Sequence, residues 1–311
     1  MPHSETALLQ AILWPLAGAA VILAARGLMP GLLRRLVAWA SALASLLILW
    51  SLRNAVVPAL EIPWEPLNFF RTGPILRVDS LSLFAVVVLS CVTAWLVLAM
   101  TAQRRSAAWH GPMLITLVGC LVLTLADNLT TLALGSALID LGLLTTAVAA
   151  DGQMPRVVWR MLVPGAASTL LLAAAAVHMD TQVGATALRA VEFPIQILGW
   201  LGGAGILRLL VFPLHPRGLS RPQEAATLLL PVGAGLYLLA RSHAIAPQAG
   251  DRSWIITWAA LAAVAGGFLV LVSTLACGRE TSREAQQRGG DDLGRLTQAL
   301  WPGLAIHQSG L

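Results

Sequence analysis

The chain has 311 residues, 57% hydrophobic and only 11% charged, with a formal net charge of +5 and a mean hydropathy of +0.77. A soluble chain carries charge on about a quarter of its residues. Less than half that share cannot coat a water-soluble globule, which excludes a soluble enzyme, a DNA-binding domain and a disordered regulator. An isoelectric point near 10.3 ordinarily points to nucleic acid, but in a membrane protein an arginine excess reports topology first. The expected partner is therefore the lipid bilayer, and no nucleic acid.

A bilayer-spanning helix needs about 20 mainly apolar residues. In chain order the candidate spans are Ala7–Ala25, Leu32–Leu52, Leu81–Thr101, Pro112–Ala126, Leu129–Ala149, Met161–Val177, Ile195–Leu214, Ala226–Ala240 and Trp254–Ala276. The first lacks a basic n-region and is too long for a signal h-region, so it reads as a retained helix. Between the second and third, Ser51–Asp79 is a long external loop with Pro58, Pro63, Pro66 and Pro74. After the ninth, Cys277–Leu296 is polar, a cytoplasmic loop or tail. Most tryptophans sit near span ends, as interfacial belts require.

All 20 basic residues are arginine, which closes every mechanism that needs a lysine amine. Thirteen arginines fall on one side of the spans and in the tail; six fall on the other (Arg53, Arg71, Arg77, Arg189, Arg241 and Arg252). The positive-inside rule places the N-terminus outside and the tail in the cytoplasm of a bacterial-type inner membrane. Cys91, Cys120 and Cys277 lie in apolar stretches with neither metal nor disulfide spacing, and read as small buried hydrophobes.

Ionisable residues inside spans are functional candidates by default. Asp140 lies deep in the fifth span, either as a functional acid or as a protonated carboxyl bonded to a neighbouring helix. Asp127 sits at a helix junction, where an N-cap is the simpler role. Arg208 lies inside the seventh span. Its guanidinium is never deprotonated, so it can hold a fixed charge, attract an anion or pair with a carboxylate such as Asp140, but cannot relay a proton. His215 can take and release one near neutral pH, or simply cap a surface. Pro164, Pro213 and Pro231 each remove a backbone donor and bend or break a helix; broken helices recur at ion sites in transporters. Asp140, Arg208 and His215 are thus expected along one polar path.

Four motifs carry a resemblance. Val78-Asp79-Ser80-Leu81-Ser82 is similar to the "VD-LS" start of the third helix of antiporter-like subunits, the large membrane subunits of respiratory complex I (NADH:quinone oxidoreductase) and of Mrp-type antiporters. Asn128-Leu129-Thr130-Thr131-Leu132 resembles their fifth helix, "NLLTLF". Gly205-Ile206-Leu207-Arg208 through Pro213-Leu214-His215 resembles their broken seventh helix, "GFK-----PLH". Gly233-Ala234-Gly235-Leu236-Tyr237-Leu238-Leu239-Ala240-Arg241 resembles "KAG-YLL-R" of the eighth. Together they span most of Leu76–Arg241.

The resemblance implies an all-α polytopic helix bundle and a glutamate–lysine–lysine proton chain. The sequence departs from it at each charged position. The family glutamate falls at Ala137, with Asp140 one turn further on nearly the same face. The two lysines are Arg208 and Gly233, and the "WLPDA" segment after the histidine is missing. Residues 306–311 resemble the "SISQLG" region near a tenth helix, as in a shortened member. The expected organisation is one bundle over 1–276, with an antiporter-like core at about 76–241, and a polar tail over 277–311 holding a partial tenth helix.

The expected function is that of an antiporter-like subunit in an NADH:quinone oxidoreductase-like or Mrp-like complex. It would take part in proton or cation translocation coupled to electron transport, with reduced or lost conduction. Its ion path would involve Asp140, Arg208, His215, Asp127 and Asp79. The alternatives are a structural assembly subunit without transport and a membrane partner in an inorganic-carbon uptake complex. No nucleotide loop, iron–sulfur cysteine set or quinone signature is present. The chain is thus at most a non-catalytic subunit with no cofactor or metal of its own, and redox chemistry would belong to other membrane subunits.

Overall fold

Inside a bilayer no water pairs the backbone, so an apolar run satisfies its own N–H and C=O groups as a helix. The computed structural model describes residues 2–25, 28–54, 59–62, 73–99, 109–149, 156–183, 186–188, 194–209 and 222–245. These hold eight helices: α1 (Pro2–Ala24), α2 (Gly31–Ser51), α3 (Ser80–Ala99), α4 (His110–Thr124), α5 (Leu129–Ala149), α6 (Arg156–Val183), α7 (Ile195–Leu209) and α8 (Pro222–Ile245). Five stretches, in α1, α2, α3, α5 and α6, are long and apolar enough to cross a membrane, while α4 and Leu229–Ile245 of α8 are shorter apolar helices. The chain is an all-α, multi-pass membrane protein. The ninth span Trp254–Ala276 and the tail over 277–311 lie outside the described residues.

Each of the first eight expected spans coincides with a helix. The largest extension is in α6, where Met161–Val177 grows to Arg156–Val183. The helix does not stop where apolarity stops: His178, Asp180, Thr181 and Gln182 continue it, and at 28 residues it reaches about 42 Å. Helix breaks at Pro164 and Pro231 are corrected by the structure, because both prolines lie inside continuous helices, α6 and α8. Proline removes one hydrogen bond from the ladder, and each helix continues past that loss. Pro213 lies outside the described residues.

Helix α4 is the axis of the bundle. All its residues except Ile115 are buried, and it packs against α1, α2, α3, α5 and α8. Close approach to α5 depends on glycine: a Cβ on Gly119 would lie 2.5 Å from the Ile139 nitrogen, and one on Gly135 2.7 Å from Leu123 Cα.

One end of the bundle carries a small β layer that the sequence did not announce. Strands β1 (Leu60–Glu61) and β2 (Ile75–Leu76) pair antiparallel, Leu60 against Leu76 and Glu61 against Ile75. The turn between α4 and α5 extends the layer through the Leu76–Ala126 bridge, and Ala187 joins it through Asn128. Two-residue strands show no alternation, so a proline-rich loop was all the pattern could reveal.

Candidate functional site

The β layer fixes the backbone of a charged cluster. Asp127 N donates to Ile75 O at 3.0 Å and Asp127 O accepts from Leu188 N at 2.9 Å, while Arg77 N donates to Leu125 O at 2.7 Å. With its main chain held, the Asp127 carboxylate lies 3.8 Å from Arg77 Nη1 and 3.7 Å from Arg241 Nη2. Arg241 also pairs through Nη1 with Asp79 Oδ2. Below this cluster, Tyr237 donates its hydroxyl proton to Thr124 O at 2.6 Å, tying α8 to the end of α4.

The motif residues explain themselves locally. Asp79 Oδ1 accepts from Ser82 N at 2.8 Å, and Asp79 N donates back to Ser82 Oγ at 2.7 Å. This reciprocal cap starts α3. The cap of α5 is Asn128, whose Oδ1 accepts from Thr131 N at 2.8 Å while Nδ2 donates to Gly73 O at 2.8 Å. The N-cap role expected for Asp127 is therefore corrected. Asn128 stands immediately before the helix and takes that role, while the Asp127 carboxylate faces Arg77 and Arg241.

A second polar cluster lies in the middle of the bundle. Asp140 is eleven residues past the start of α5, about 16 Å along it. Arg208 of α7, only 1% exposed, approaches Asp140 Oδ1 with Nη2 at 3.1 Å. The same nitrogen reaches Ser136 O at 2.9 Å, Ser136 Oγ at 2.5 Å and Thr169 Oγ1 at 3.3 Å. Thr169 donates to Asp140 Oδ2 at 2.5 Å and lies 2.8 Å from Ser136 Oγ. Since Thr169 spends its proton on the carboxylate, Ser136 donates to Thr169, and one hydroxyl chain joins guanidinium to carboxylate. Bulk is excluded here by glycines: a Cβ on Gly165 would stand 2.5 Å from Asp140 Oδ1, and one on Gly235 3.0 Å from Arg208 Cβ.

The expected site residues thus divide. Asp140 and Arg208 meet; Asp79 and Asp127 meet elsewhere, at the bundle end, each facing Arg241. His215 lies outside the described residues. Ala137 does not share the face of Asp140. It is exposed, like Leu141, Leu144 and Val148, whereas Ser136 and Asp140 look towards α6 and α7, because three residues along a helix leave a 60° offset. At Gly233, a Cβ would meet Leu89 Cδ2 at 2.7 Å, so an apolar side chain of α3 occupies the second lysine position. The sequence missed Ser136 and Thr169 as partners. Ser136 was signalled by its place one turn before Asp140, whereas nothing marked Thr169.

No protein-family model matches the sequence, and no curated protein matches it. Solved structures do. A chain of the membrane-bound sulfane sulfur reductase, an archaeal respiratory membrane complex, superposes with a TM-score of 0.60 at 17% identity, over 76% of this chain and 40% of that one. A chain of the Mrp complex from Dietzia sp. DQ12-45-1b does so with a TM-score of 0.58 at 21% identity, over 76% of this chain and 28% of that one. At such identities the likeness is one of fold. The chain shares the fold of these two membrane-complex chains, and it spans less than half the length of either.

Proposed function

We propose that the chain serves as an antiporter-like subunit of a multisubunit membrane complex of the NADH:quinone oxidoreductase-like or Mrp-like kind, where it takes part in moving protons or cations. The observation that carries this function is the buried Arg208–Asp140 pair, bridged by Ser136 and Thr169 in mid-bundle. Charge at membrane depth is costly and is retained where it acts. Asp140 is the group that takes and releases a proton. Arg208 stays charged and sets how readily that proton leaves; His215 is the next titrating group along the path. Electron transfer belongs to partner subunits. The complex sits in a bacterial-type inner membrane, with this chain's N-terminus outside and its tail in the cytoplasm.

The test is proton flux by the host complex in sealed vesicles. Asp140→Asn abolishes it while the complex still assembles; unchanged flux in that variant removes the relay. Mild-detergent purification of the tagged chain identifies the host, through recovery of NADH dehydrogenase, hydrogenase or Mrp-type subunits.

A second function, assembly without conduction, is favoured by Gly233 lying against Leu89 where the family has a lysine. In that case replacing Asp140 by Asn and Arg208 by Gln together leaves coupled transport intact, and only deletion of the chain disrupts the complex.

A further inference from the structure

Arginine brings five N–H donors, and Arg208 uses only those on Nη2. Among the described residues Nε and Nη1 find no acceptor, although the side chain is 1% exposed. An unpaired donor at such depth is expensive, and three of them on one cation form a recognition surface for negative charge. Nη1 lies on the Gly165 side, where a Cβ would come 3.7 Å from it.

Charge balance indicates when that surface is used. Both oxygens of Asp140 accept hydrogen bonds, Oδ1 from Arg208 and Oδ2 from Thr169, which is the pattern of an ionised carboxylate. In this state the pair is neutral. When Asp140 takes a proton, a permanent guanidinium is left without a counter-charge inside the bundle, a condition strongly penalised at depth. Among the described residues no other group is seen to supply the charge. Among the described residues, α6 presents Gly165 and Thr169 to Asp140, neither ionisable, and α8 presents Gly235 to Arg208. From α4, the Cys120 thiol donates to Leu230 O at 3.6 Å and so keeps its proton. A metal cation is disfavoured as the alternative occupant, since Arg208 repels it.

We propose that Arg208 Nε and Nη1 bind a small monovalent anion, of the size of chloride, nitrate or bicarbonate, taken up together with the proton on Asp140. One proton and one anion enter as a neutral pair, and no covalent bond changes other than the carboxyl O–H. The proposal rests on the preceding assignment of Asp140 as the titrating group and adds the ligand class.

The experiment is equilibrium thermal stability of the purified full chain in detergent, titrated with sodium nitrate against sodium gluconate at equal ionic strength, at pH 5 and pH 8. Half-saturating nitrate is expected to be on the order of tenfold lower at pH 5, since linkage is reciprocal. Asp140→Asn, neutral at every pH, shows the tight response at both values. The uncharged pair Asp140→Asn with Arg208→Gln shows no response beyond the gluconate control. A nitrate response equal in the wild type and the double variant overturns the proposal, as does a wild type indifferent to nitrate at pH 5. If Asp140→Asn alone fails to fold, the wild-type pH dependence and its loss in the double variant decide. No host complex is needed, so loss of the flux prediction and loss of anion binding are read separately.

Discussion

Asp79 splits its carboxylate between two tasks, with Oδ1 capping α3 and Oδ2 pairing with Arg241. Burial pushes its carboxyl up, but the hydrogen bond and charge of Arg241, together with the hydrogen bonds from Ser82, outweigh that and hold it below the usual 3.8. A carboxyl lowered in the folded state contributes stability that is present above its unfolded value and lost as pH falls through the folded one. Asp79→Asn keeps a capping side chain and removes only the charge, so it isolates the ion pair. The expected loss is about 1–2 kcal/mol at neutral pH, reduced from the fully buried case by residual solvent access. Thermal melts of detergent-solubilised protein between pH 7 and pH 3 check it: wild type and variant differ at pH 7 and converge below about pH 4. A constant difference across that range would assign the effect to the cap instead. The cap was legible in the sequence as Asp-Ser-Leu-Ser. Arg241 was not legible as its partner, because 162 residues separate them and only the fold brings α8 to the start of α3. The proton-path role expected for Asp79 and Asp127 has a simpler counterpart in this geometry. Two aspartates and two arginines neutralise one another and lock the β layer to the helices.

At the scale of elements, the eight helices were legible because length and apolarity suffice for a bilayer span. Which helices touch was not, since every span is apolar around much of its circumference and carries little phase information. The pairing of α4 with α5 is written instead in small residues. Gly119, Gly135 and Gly142 leave no room for a Cβ, the obstruction being backbone of the facing helix, the close-approach device of membrane helices. Gly135→Ala is therefore expected to destabilise by about 1–3 kcal/mol through overpacking, although alanine is the better helix former. Gly199 of α7, with nothing within 4 Å of a Cβ, is the control, and Gly199→Ala is expected to be neutral or slightly stabilising. Size-exclusion recovery after heating separates the two. Equal recovery would mean that α4 and α5 can part without loss, and Gly135 would then not be a packing glycine. Since Ser136 and Asp140 lie on the same helix as Gly135, the displaced α5 would also pull Asp140 from Arg208.

At the scale of the whole molecule, the two charged clusters differ in depth and in what surrounds them. The Arg77–Asp79–Asp127–Arg241 cluster closes the end of the bundle where the β layer lies, while Asp140 and Arg208 sit in its middle, behind helix faces that carry exposed Phe84, Val88 and Trp95 on α3 and Leu141, Leu144 and Val148 on α5. Apolar residues outside and charge inside is the arrangement a bilayer enforces, and composition alone foretold it. Chain order decides which connections share an end of the bundle. With α1 starting at the β-layer end, the α1–α2 and α3–α4 connections both fall at the opposite end, where Arg26, Arg34, Arg35, Arg104 and Arg105 occur in sequence. Arginine in short loops is expected to hold its side in the cytoplasm, and on the proposed orientation the β layer faces outward. In a background with Cys91, Cys120 and Cys277 replaced by alanine, Glu61→Cys on β1 is expected to react with a membrane-impermeant maleimide in intact spheroplasts. Met29→Cys, between α1 and α2, reacts only after permeabilisation. The opposite labelling pattern would invert the bundle, and the Asp79–Arg241 lock would then face the cytoplasm, within reach of soluble partners rather than of the external medium.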